Sequence, residues 1–268
     1  MTEQILSGGQ LSRVVLVDDT VRRPTGVWTQ AVHSLLRHLE SKGFKAAPRV
    51  LGIDEQHREI LTYVPGESVS GQPSPRWVWT DQTLIATAKW LSDYHRAVSD
   101  FREPPNAVWR MNWSPQGRQE IICHFDVAPY NLVLMFNGEI SVIDWDVAAP
   151  GLPVLEVAKV ANSFSPLNDA VALESLGLSL GEMNKELLDR MVYRTRLLLA
   201  NYGIGQRHGF VDMMALAAKH SRERIVRGAI EGDAALQSLI DAGVIQRLQQ
   251  TEKLIGHYRD TLIAGIER

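Results

Sequence analysis

The chain has 268 residues, 45% hydrophobic and 22% charged, an ordinary balance for a globular protein and enough length for two compact units. A net charge of −3 gives no field to draw in nucleic acid, and a single cysteine, Cys123, excludes an intrachain disulfide or a cysteine-built zinc site. No apolar run approaches the ~20 residues that span a bilayer, and no basic-then-apolar leader precedes Gly8-Gly9, so a cytoplasmic protein without nucleic-acid or membrane partners is expected.

In chain order, Arg13–Val17 and Thr20–Arg23 read as strands about a tight turn at Asp18-Asp19. Val32, Leu35, Leu36 and Leu39 recur at helical spacing, and Lys42-Gly43 is a stop signal. Arg49–Ile53 and Glu59–Val64 read as two further strands joined by a polar turn at Asp54–His57. Pro65-Gly66 punctuates the chain, and Gly71, Pro73 and Pro75 extend an irregular linker. From Asp81, a good N-cap, the residues Leu84, Ala88, Leu91, His95 and Val98 form one stripe of a helix. After Pro153 the pattern is almost wholly helical, with amphipathic segments near 182–201, 212–230 and 236–266. The division is therefore 1–65 as a sheet-rich N-terminal unit and 66–268 as a larger, mainly helical one.

The densest chemistry lies in His124-Phe-Asp126-Val-Ala-Pro-Tyr-Asn131 and the hairpin that runs on to Asp144. Two apolar runs, Leu132–Phe136 and Ile140–Ile143, are joined by Asn137-Gly138, a dipeptide suited to a two-residue type I′ turn. That turn gives facing residues a constant index sum of 275 and sets Asn131 opposite Asp144, with Cβ atoms ~5 Å apart. Val133 and Val142 fall on the same face and would make an apolar floor. An amide oxygen beside a carboxylate is a hard-oxygen site of the kind Mg²⁺ uses when phosphates and water complete its shell. Asp126, five residues before Asn131, would aim at the same space.

These residues resemble the catalytic core of the kinase-like phosphotransferases, and in particular the aminoglycoside phosphotransferase family with its H-x-D-x-x-x-x-N and I-D-W/F segments: His124, Asp126, Asn131, Ile143, Asp144 and Trp145. The resemblance implies a two-lobed α+β fold, with a small antiparallel-sheet lobe carrying one helix and a helical C-terminal lobe. It implies an ATP-dependent (or GTP-dependent) kinase that moves the γ-phosphate to a hydroxyl of a small acceptor, an aminoglycoside-like antibiotic or a metabolite. Asp126 would take or orient the acceptor proton, Asn131 and Asp144 would hold Mg²⁺, and His124 would be a scaffold. Arg22 would be the strand cation on the α/β phosphates, with Arg23 on the opposite strand face. Thr62, Tyr63 and Val64 would form the hinge whose backbone reads adenine, and Gly8-Gly9 would let backbone N–H groups approach phosphate.

Two departures stand out. No acid occupies the helix between Trp28 and Leu36 where the wider fold carries a glutamate; Gln30 and His33 are the nearest polar residues. Phe125 replaces the arginine of regulated protein kinases, Asp146 replaces the DFG glycine, and only six residues separate Asp144 from Gly151, which excludes a phosphorylation-switched activation loop. The missing glutamate motivates an alternative: a catalytically weak kinase-like binding or immunity protein that sequesters a toxin or peptide. A third reading, Asp144-Trp-Asp146 as the D-x-D motif of a nucleotide-sugar transferase, lacks the parallel α/β alternation such a fold needs.

Overall fold

A computed structural model describes residues 3–5, 14–69, 74–111, 121–165 and 185–268. Two compact units divide the chain, residues 1–72 with 93–152 and residues 73–92 with 153–268.

In the first unit, β1 (Glu3–Ile5), β2 (Val15–Val17) and β3 (Thr20–Pro24) precede helix α1 (Thr29–Ser41), and β4 (Val50–Ile53) and β5 (Arg58–Thr62) follow it. All five strands pair antiparallel in the order β1-β2-β3-β5-β4. Asp18 takes a positive φ of 55° at the β2–β3 turn, and Thr20 Oγ1 donates to Val17 O, so a short polar side chain closes the expected reversal. Helix α1 buries the expected stripe, Val32, Leu35, Leu36 and Leu39, and with it His33. Each such aliphatic side chain contributes ~1.5–3 kcal/mol when withdrawn from water, which holds α1 in place without a side-chain N-cap bond.

The same unit contains β6 (Gly66–Ser68), β7 (Ile121–Cys123), β8 (Leu132–Met135), β9 (Ile140–Val142) and β10 (Ala149–Gly151). β8 is flanked by β6 and β9, and β7 pairs with β10, all antiparallel. β6 is unexpected. It forms because Gly66 has no Cβ: one built there would meet Leu134 O at 2.4 Å, closer than any real contact.

The β8–β9 hairpin departs from the expected register by one residue. Leu132 faces Val142, Val133 faces Ser141 and Leu134 faces Ile140. Only Gly138 has positive φ (81°), Gly138 N–H donates to Met135 O and Met135 N–H to Glu139 O. The connection is therefore a three-residue loop, Phe136-Asn137-Gly138, ending in a left-handed glycine, not a two-residue type I′ turn. Asn137 stays out of the left-handed region because its side chain already accepts from Glu139 N–H and donates to the Glu139 carboxylate. Val133 and Val142 consequently point to opposite faces, and Asn131 does not face Asp144 within the ladder.

In the second unit, α2 (Asp81–Ala97) begins at the expected cap residue and contributes its first turns. Helix α3 (Pro153–Ser163) opens on proline, which suits a first helical turn. Then come α4 (Lys185–Tyr202), α5 (Phe210–Ile230), α6 (Ala234–Asp241), α7 (Val244–His257) and α8 (Arg259–Ile266). The stretch expected as one helix over 236–266 is thus three, broken at Gly243, which is left-handed, and at Tyr258. α5 packs against α3, α6, α7 and α8 and buries Val211, Met214, Ala217 and Ile225. Arg194 of α4 is buried and donates to Phe164 O and Trp79 O, with Asp81 beside it. Among the described residues no helix is long and apolar enough to cross a membrane.

Candidate active site

The segment from His124 to Asn131 is shaped by local rules. Asp126 N–H donates to His124 Nδ1 at 3.2 Å, so the histidine does organise the loop. Phe125 adopts a positive φ of 57° and is fully buried against Gly151, where a Cβ would collide with its ring. A non-glycine residue in that region costs about 1–3 kcal/mol and persists only where packing holds it. Pro129 opens a 3₁₀ turn, closed by Asn131 N–H donating to Ala128 O. That turn sends two successive side chains onto Asp126. Asn131 Nδ2 donates to Asp126 Oδ2 at 2.8 Å and to its carbonyl at 2.9 Å, and the Tyr130 hydroxyl donates to Oδ1 at 2.8 Å.

Asp144 lies beyond the end of β9 with a positive φ of 62°, and Ile143 N–H donates to Asn131 O at 3.0 Å. The two residues are thus tied through the backbone one position out of register, and the turn at Asp144, not strand alternation, aims its carboxylate. What it meets is Arg23, whose Nη1 donates to Asp144 Oδ1 at 2.9 Å and Nη2 to Asp146 Oδ1 at 2.6 Å. Arg23 Nε donates to Glu59 Oε1 across the β3–β5 ladder, where the two residues are direct partners. The other oxygen of Glu59 bonds His33 Nε2 of α1 at 2.8 Å. Arg23, Glu59 and His33 are 6%, 2% and 2% exposed. Arg110, stacked 4.4 Å over the Trp28 ring, lies 3.6 Å from Asp146.

The charges in this cluster sustain one another. Burial works against the Arg23 cation, yet Asp146, Asp144 and Glu59 hold its pKa above the usual guanidinium value. Burial also pushes Glu59 upward, but the His33 bond and Arg23 outweigh it and keep its carboxyl below the ordinary range. Asp146 is pushed up to about 6 by burial, by Asp144 and by Glu59, against the pull of Arg23 and Arg110.

Arg23, not Arg22, therefore occupies the place beside Asp144. Arg22 donates to Thr20 Oγ1 and lies 3.7 Å from Asp54, on the other side of the strand. α1 brings no glutamate to Arg23; the carboxylate that Arg23 meets is Glu59 of β5, which His33 links to the helix. Sequence parity established that one arginine of the pair would face inward but not which, and Glu59 could be found only from a strand pairing 36 residues apart. In the hinge, Tyr63 N–H donates to Asp19 O, Thr62 N–H to Arg49 O, and Thr62 Oγ1 accepts from Arg49 N–H. Val133 abuts Gly66 beside this hinge, while Val142 is on the far face and its N–H approaches Ala46 O at 3.4 Å. Gly8 and Gly9 lie outside the described residues.

The donor set suits a hard divalent cation. Asn131 commits its amide nitrogen to Asp126, so the amide oxygen is the end it offers elsewhere, and Asp144 gives one oxygen to Arg23 and keeps the other. Around Arg23, three carboxylates face two guanidiniums, an excess of one negative charge.

Comparison with known proteins bears on the family and the fold. The model of the phosphotransferase enzyme family matches residues 75–188. The trifolitoxin immunity protein of Rhizobium leguminosarum bv. trifolii is 35% identical over 228 residues, 82% of each chain. Among solved structures, an ethanolamine kinase of Plasmodium vivax superposes with a TM-score of 0.55 at 12% identity, covering 95% of this chain and 82% of that one. The GDP complex of wild-type aminoglycoside 2'-phosphotransferase-IIIa gives 0.55 at 14% identity, covering 94% and 93%. The chain belongs to the phosphotransferase enzyme family, has its kinase-like α+β fold, and counts the trifolitoxin immunity protein among its relatives.

Proposed function

We propose that the protein transfers the γ-phosphoryl group of ATP or GTP to a hydroxyl of a small molecule. The observation that carries this reading is Asp126 gripped by Asn131, with Asn131 joined through the backbone to the Asp144–Arg23 ion pair. Asp126 accepts the acceptor's proton as its oxygen attacks phosphorus. Asn131 and Asp144 would hold Mg²⁺, which when bound neutralises phosphate charge and orients the γ-phosphoryl group. Arg23 takes the part first assigned to Arg22. Its guanidinium has five N–H donors, three of which serve carboxylates, so donors remain for phosphate oxygens. With the N–H groups of Thr62 and Tyr63 engaged, we assign adenine recognition to the backbone at Val64, with Val133 rather than Val142 as the floor. Gly8-Gly9 would cover the phosphates. In this reading 1–65 is the nucleotide lobe, 66–268 the catalytic and acceptor lobe, and the setting is cytoplasmic, where nucleoside triphosphates are held.

The test is Asp126→Asn in the full chain. Loss of a positioned base costs on the order of 10²–10⁴-fold in rate, so phosphate transfer in an ATP-consumption screen over antibiotics, amino alcohols, sugars and nucleosides should vanish while Mg·ATP binding persists. Undiminished transfer in the variant refutes the assignment.

A second reading is favoured by one observation, the 35% identity to a protein named for immunity to trifolitoxin. There the chain would sequester a toxin or peptide without transferring phosphate. Calorimetry with Mg·ATP separates the two: a kinase-like shell that only sequesters gives no heat.

A further inference from the structure

The Tyr130 hydroxyl sits 2.8 Å from Asp126 Oδ1, where an alcohol awaiting phosphorylation would place its own oxygen. We propose that Tyr130 is the gate of the acceptor site: its hydroxyl holds the acceptor's place on Asp126, and an alcohol is phosphorylated only if it displaces that hydroxyl. The inference rests on the reading of Asp126 as the proton-accepting group.

The two oxygens of Asp126 are not equivalent. Oδ2 is taken by Asn131 Nδ2, which also holds the Asp126 carbonyl, and Asn131 is buried. An acceptor that displaced Asn131 would undo the loop. Oδ1 is taken by Tyr130, whose side chain is 56% exposed and follows Pro129 at the head of the turn. Displacing the phenol leaves the backbone bonds of the turn intact. Oδ1 is therefore the oxygen on which the acceptor's proton is received.

A phenol is a stronger hydrogen-bond donor to carboxylate than water or a simple alcohol, because its O–H is far more acidic. Water alone competes poorly for Oδ1, which spares nucleotide from hydrolysis. An acceptor succeeds when contacts elsewhere on its frame help its hydroxyl to win the place, so the gate selects polyfunctional alcohols over water and small monohydric ones. In the transfer the acceptor oxygen bonds to phosphorus, the bond from phosphorus to the nucleoside diphosphate oxygen breaks, and the acceptor's proton passes to Asp126. Tyr130 neither gains nor loses an atom. It is a positioning residue.

The experiment compares wild type and Tyr130→Phe as full chains, with Mg·ATP and Mg·GTP and with water as the sole acceptor. Calorimetry should show unchanged nucleotide affinity and thermal unfolding should be unchanged, while hydrolysis rises roughly 10- to 100-fold, the worth of one hydrogen bond to a charged group. Adding Asp126→Asn should abolish the gain. A tyrosine that merely props the loop gives no change or a fall, so a gain is specific to the gate. Retained nucleotide binding with unchanged or lower hydrolysis overturns the proposal, as does phosphate recovered on Tyr130 by mass spectrometry, which would make it an acceptor. Absence of nucleotide binding in the wild type overturns the phosphotransferase reading, and the gate with it.

Discussion

Arg23 gives each of its three nitrogens a different carboxylate, Glu59, Asp144 and Asp146, and is buried while doing so. Removing one partner of a buried pair costs roughly 3–5 kcal/mol, because the remaining charge stays desolvated. Glu59→Ala should fall at the low end of that range, since Arg23 keeps two carboxylates, while His33 loses its bond. The sign of the pH dependence follows from the depressed Glu59 pKa. The unfolded state binds the proton more readily, so the stability Glu59 contributes is fully present above its unfolded pKa of ~4.3 and is lost as pH falls through the lower folded value. Urea midpoints measured from pH 7 down to pH 3 should therefore decline in the wild type and decline less in Glu59→Ala. An equal acid decline in both would show that Glu59 is not the group responsible.

Strand β6 exists because Gly66 lets it press against β8. Gly66→Ala drives a Cβ into the Leu134 carbonyl, which is backbone and cannot turn away, and into Val133 Cγ1 as well. The expected cost is about 1–3 kcal/mol, typical of overpacking, with faster amide exchange at Glu67 and Leu134. A thermal midpoint equal to wild type would mean that β6 adds nothing. The hairpin illustrates how narrow the local choices are. Asn137-Gly138 is compatible with a type I′ turn, yet Asn137 binds Glu139 N–H with its own side chain and leaves Gly138 alone in the left-handed region. One extra loop residue moved every pair on β8 and β9 by one position.

The described residues of the proposed nucleotide and metal site (Arg23, Thr62, Val64, Asp126, Asn131, Val133 and Asp144) all belong to the unit formed by 1–72 and 93–152. Ligand protection should be concentrated accordingly. Hydrogen exchange with and without saturating Mg·ATP should show slowed amides in 14–69 and 121–151, with α4 to α8 nearly unaffected in the absence of an acceptor. Protection spread evenly over the helices would place the nucleotide elsewhere.

Periodicity and punctuation along the chain determined a great deal by themselves: the β2–β3 hairpin, α1 and its buried stripe, the start of α2 at Asp81, and the H-x-D-x-x-x-x-N order that sets Asp126 five residues from Asn131. These are short-range features, governed by φ preferences and by which faces are apolar. Only the tertiary structure decided that Arg23 rather than Arg22 turns inward, that Glu59 pairs with Arg23 and is tied to α1 through His33, that Asp144 is aimed by its own backbone turn, and that Tyr130 reaches Asp126. Alternation along a strand specifies that neighbours point oppositely, but which one meets a partner depends on pairing between segments 36 or 121 residues apart. That pairing is settled by burial of charge against charge, which the order of residues along the chain does not contain.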